Sequence, residues 1–67
     1  MQKVDIQVKG RFDTNGVNRL FNMRSTPTVE GNTVLSGPIR DHAELQGILS
    51  YLSNLGLELI SVNRMVE

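Results

Sequence analysis

The chain holds one histidine, His42, with a carboxylate immediately before it, Asp41, and another two residues after it, Glu44. A histidine beside an acid is the raw material of general acid–base chemistry, and with further ligands it could hold a metal. The spacing favours a simpler use. Asp41 followed three residues later by Glu44 is a capping-box pattern, in which both acids serve the first turn of a helix. His42 then falls at the first helical position and faces solvent, without a Cys or a second His to complete a metal set. Ser25, Ser36, Ser50, Ser53 and Ser61 lack the strand–turn–helix setting of a nucleophile and share one possible base. Gly31, Gly37 and Gly56 read as turn or cap glycines and form no phosphate-binding loop, and an anion at this helix start would meet Asp41. With no cysteine there is neither a thiolate metal site nor a disulfide. The expectation is a chain that is not an enzyme and carries no metal or cofactor.

The element that positions these residues is a helix from about Asp41 to Leu55. Leu45, Ile48, Leu49, Leu52 and Leu55 repeat at helical spacing. Gly56 follows as a left-handed C′ residue, and Leu57 is placed to close an apolar contact back onto the last turn.

Upstream, Val4, Ile6 and Val8 alternate with Asp5, Gln7 and Lys9, which predicts a half-buried strand ended by Gly10. Asp13 or Thr14 can cap one or two helical turns, with Phe12, Val17, Leu20 and Phe21 as core residues. Asn15, Gly16, Asn18 and Asn22 oppose helix, so an irregular loop is the alternative. Met23 to Val29 predicts a strand that Pro27 confines to a sheet edge. Glu30-Gly31-Asn32 turns the chain into a second strand, Thr33 to Ser36, broken by Gly37-Pro38. Leu57 to about Met65 supplies the last strand. The order is βαββαβ, an α+β chain of the ferredoxin-like sandwich type with a short or irregular first helix. In that arrangement the first and third strands are central, and Pro27 lands on an edge. The alternative is a βββαβ sheet with one helix.

At 67 residues the chain is a single domain over 1–67. Seven basic and seven acidic residues leave it without the positive excess of an electrostatic nucleic-acid binder, and the central strands offer no aromatic for base stacking. There is no transmembrane run and no export signal, so a cytoplasmic protein with no membrane partner is expected. Two Phe, one Tyr and no Trp make a thin core for so short a chain, which favours a second copy as partner.

Two surfaces are candidates for that contact. Opposite the leucines, the helix presents Ala43, Gly47, Ser50 and Asn54, small and uncharged where Lys, Arg and Glu are usual. The last strand reads as apolar on both sides, with Leu57 and Leu59 on one face and Ile60 and Val62 on the other, so an uncovered sheet face would be buried against something. The function expected is a non-enzymatic interaction or oligomerisation module, a homodimer in the first instance. The alternative is a small-ligand regulatory domain that binds between two chains near the Gly31 and Gly56 loops.

The second half, Gly37 to Arg64, resembles a family of small uncharacterised bacterial proteins. The matching residues are Gly37, Pro38, Asp41, Ala43, Leu45, Gly47, Leu49, Leu55, Gly56, Leu57, Leu59, Ser61 and Val62, and Gly31 to Ser36 is similar to that family's hairpin strand. The first half departs, with Asn18-Arg19-Leu20-Phe21 where family members carry a Trp-rich segment. That family has no assigned activity, so the resemblance implies likeness of fold and no chemistry.

Overall fold

The computed structural model describes residues 2–66, with side chains through Met65. The element order is β1 (Gln2–Val8), α1 (Asn15–Phe21), β2 (Arg24–Pro27), β3 (Thr33–Ile39), α2 (His42–Asn54) and β4 (Leu59–Val66). The sheet runs β2-β3-β1-β4 with every neighbouring pair antiparallel. The chain is α+β, with the first and third strands central and the second and fourth at the edges, as the element order predicts. It departs from a regular two-helix sandwich in the brevity of α1 and β2.

Alternation in β1 decides what is inside. Val4, Ile6 and Val8 are fully buried on the helix-covered face, joined by Leu35 and Ile39 of β3 and by Leu45, Ile48 and Leu52 of α2. Val17 is the one fully buried residue of α1, with Phe12 and Phe21 partly covered beside it. Leu20 was expected in the core but is exposed. It lines a notch with Phe21, Asn22, Pro38, Ile39, Arg40 and Glu44 between the two helices. The seven-residue helix has room for one buried position, and Val17 occupies it.

The α2 boundaries follow the sequence signals. The Asp41 carboxylate accepts from the Glu44 N–H at 2.9 Å. Glu44 reaches back one residue further than the usual box, accepting from the Arg40 N–H at 3.1 Å and pairing with its guanidinium at 3.1 Å. At the other end Gly56 takes φ +78°. The Leu57 N–H donates to the Leu52 carbonyl and the Gly56 N–H to the Ser53 carbonyl, which is a Schellman closure. Leu55 was expected on the buried face; as the C-cap residue it lies past the last helical turn and is half exposed. Asp41→Ala should cost about 1 kcal/mol by removing the cap, read as a fall in thermal midpoint of roughly 4–8 °C.

β3 corrects a second expectation. It does not stop at Gly37-Pro38 but continues to Ile39, pairing with β1 as Val4↔Gly37 and Lys3↔Pro38. β2 begins at Arg24, opposite Ser36, so beyond Ser36 one side of β3 has no partner strand among the described residues. A proline with no N–H to donate is tolerated there. Gly37 is buried because the α1–β2 connection lies against it: a Cβ at this position would stand 2.9 Å from the Asn22 carbonyl oxygen and 3.2 Å from the Met23 Cα.

Candidate functional site

The acid–base constellation is occupied structurally. Asp41 caps α2, and Glu44 holds Arg40. His42 is exposed at the helix start, its Nδ1 3.5 Å from the Arg64 Nη1. Both carboxylates that could orient the imidazole are engaged elsewhere, and the charged group beside its ring nitrogen is the Arg64 guanidinium. No group of three or more potential metal ligands occurs among the described residues.

The uncovered sheet face is polar, which corrects the expectation of an apolar one. Register shows why. Val62 pairs with Ile6, placing it on the helix-covered face, where it packs against the core. A β-bulge at Ile60 then shifts the register, so that Leu59 pairs with Val8 on that same covered face. Strict alternation would have put Leu59 and Val62 on opposite faces. The open face receives Lys3, Asp5 and Gln7 from β1, Val34, Ser36 and Pro38 from β3, Arg24 and Thr26 from β2, and Ser61, Asn63 and Met65 from β4. At one end of this face Lys3, Asn22, Arg24 and Ser36 line a shallow depression of about 320 Å³. Ser36 there donates to the Asp5 carboxylate at 2.6 Å, which sets a negative charge beside the two cations.

The Gly31 and Gly56 loops lie at the same end of the sheet, where Val8, Thr33 and Leu59 end their strands. The polar groups there are used internally. The Gly10 N–H donates to Asn32 Oδ1, Thr33 Oγ1 donates to the Gly10 carbonyl, and the Asn32 N–H donates to Thr28 Oγ1. Beside them lies a groove of about 210 Å³ lined by Val8, Leu49, Leu52, Ser53, Leu57 and Leu59, mainly apolar.

The residues with the clearest unmet potential form a band along β4 and the end of α2. Leu55, Leu59, Ile60 and Met65 are 40–51 % exposed; Leu59 lines the apolar groove at one end of β4, and Met65 lies near the other end, on the open face opposite Lys3. Ala43, Gly47, Ser50 and Asn54 are all exposed too, on the side of α2 away from the sheet, and nothing lies within 4 Å of where a Gly47 Cβ would be. The structure therefore separates the residues proposed from sequence into three places. The α2 stripe is one surface, Leu59 and Ile60 are on the β4 rim, and Val62 belongs mostly to the core. Sequence reasoning missed Leu55, at the C-cap of α2, and Met65, near the far end of β4; Leu55 carried the periodic signal of a core residue and gave no warning.

Residues 3–63 match a protein family described as Domain of unknown function (DUF8691). The chain belongs to this family. No curated protein matches this DUF8691 chain. Among its described residues no helix is long and apolar enough to cross a membrane.

Proposed function

We propose that this DUF8691 chain is a non-enzymatic protein-interaction module that works as a homodimer in the bacterial cytoplasm. The observation that carries the reading is the apolar group of Leu55, Leu59 and Ile60 at the end of α2 and the start of β4, left in water on a chain this short. Isolated exposed apolar side chains are ordinary; a cluster around an apolar groove at a sheet edge is an association surface. The wider chemistry agrees: the acids beside the single histidine serve the helix cap, and formal charges balance at zero, so two copies meet without net repulsion.

The test is solution mass by light scattering over a dilution series. The parent chain should run at twice 7.5 kDa and dissociate only on dilution. Ile60→Lys places a charge on the rim without touching the buried core. It should weaken association at least about tenfold, since burying an unpaired charge costs more than 1.4 kcal/mol, while leaving the circular dichroism spectrum unchanged. Gly47→Leu, on the other surface of α2, should leave the mass unaltered. A parent chain that is monomeric at every concentration would overturn the homodimer.

A further inference from the structure

We infer that the homodimer forms by edge pairing: β4 of one copy lies antiparallel to β4 of a second copy, about a two-fold axis, making one continuous eight-stranded sheet. This rests on the homodimer reading above and adds where and how the two copies meet.

The two edges of this sheet are treated differently. β2 has four residues and ends in Pro27, and both features discourage a further strand. β4 has eight residues, Leu59–Val66, with no proline, no lysine and no acid. Its inner side pairs with β1, and among the described residues nothing pairs with its outer side. The bulge at Ile60 is the one edge-blunting irregularity in β4; a long edge with exposed apolar side chains and no proline, lysine or acid is otherwise the feature that soluble chains normally blunt. Its one charge, Arg64, is directed inward along the chain's own surface, toward Gln2 and His42.

A second copy fits this edge for reasons of charge and pattern. A surface that pairs with itself must not oppose like charges. In antiparallel self-pairing only the residue on the axis meets its own copy. A register centred on Val62 brings Val62 to Val62 on the helix-covered face, extending the core from one chain into the next. It brings Ser61 to Asn63 twice on the polar face, and it sets each Arg64 opposite Ile60 and away from the other Arg64. The flanking side of α2 raises no objection, since Leu49 and Ser53 border the groove beside Leu59 and neither is charged.

The chain has no cysteine, so a single introduced thiol reports only on its own position. Single cysteines at Ser61, Val62 and Asn63 on β4, and at Gly47 and Ser50 on α2, would be oxidised with diamide and the dimer fraction measured on non-reducing gels. The paired Cα atoms of antiparallel strands stand about 4.5–5.5 Å apart, within disulfide range. One residue off the axis the two copies are displaced by about 7 Å along the strand, at about 3.4 Å per residue in each chain. Edge pairing is expected to give a maximum at Val62→Cys, several-fold above its neighbours, with Gly47→Cys and Ser50→Cys close to background. A maximum at Ser61 or Asn63 also supports edge pairing and moves the axis by one residue. Crosslinking strongest at Gly47 or Ser50, or equal along β4, in a chain of dimeric mass would overturn edge pairing and leave the homodimer standing. Monomeric mass throughout would overturn both.

Discussion

Ile48→Ala should leave much of the chain unfolded at 25 °C. Ile48 is fully buried, midway between Leu45 and Leu52 on the side of α2 that covers the sheet. Those three are the only fully covered positions of α2, and α1 contributes Val17 alone. Removing three carbons from such a site costs about 2–5 kcal/mol in lost transfer energy and residual cavity. A single core in a domain below about 70 residues rarely supplies more than roughly 3–5 kcal/mol, so the loss is comparable with the whole. In urea titrations followed by circular dichroism at constant protein concentration, the expected midpoint shift is about 1–2 M or more, toward a baseline already partly unfolded. Ile48→Val, which removes one carbon, should cost about 0.5–1.5 kcal/mol and keep a cooperative transition. A midpoint for Ile48→Ala close to that of the parent would mean that α2 is not held by this contact.

Gly37→Ala should destabilise the chain by about 1–3 kcal/mol, the range for overfilling a packed site. The reason is specific to the place. The added Cβ would lie 2.9 Å from the Asn22 carbonyl oxygen and 2.9 Å from the Met23 sulfur. The methionine side chain can move aside; the carbonyl belongs to backbone that turns out of α1 in a left-handed conformation, with Asn22 at φ 55°, directly before buried Met23. Relief requires lifting the α1–β2 connection off β3. Gly47→Ala is the matched control, the same chemical change made in open space on α2. There the gain in helix propensity should stabilise by about 1 kcal/mol. Opposite signs for the two substitutions in one set of thermal melts are the expected result. If Gly37→Ala were neutral or stabilising, the glycine would be a simple strand breaker, which is how it reads in the sequence.

That difference marks where sequence reasoning reached its limit. The ends of α2 were legible because their signals are local. Asp41, Glu44, Gly56 and Leu57 act through hydrogen bonds spanning three to five residues, so identity and spacing suffice. Alternation in β1 was legible for the same reason: a central strand with one covered face must repeat every two residues. Pro27 identified an edge, and the element order then placed β1 and β3 in the middle.

The surfaces were less legible. Leu20 and Leu55 carried core-like spacing, but a seven-residue helix and a helix cap gave them nothing to pack against. The path of β3 through Gly37-Pro38 depended on β2 starting late enough to leave that side of the ladder empty.

Sequence alone determined the class of this chain, its element order and most of its inner residues, because each follows from local periodicity, capping chemistry or residue type. Tertiary structure decided which apolar residues remained in water. One extra residue at Ile60 turns Leu59 onto the same face as Val62 and keeps it off the open sheet face, which stays mainly polar. A bulge is set by pairing with a strand more than fifty residues away in the chain, and no window of local sequence contains that partner.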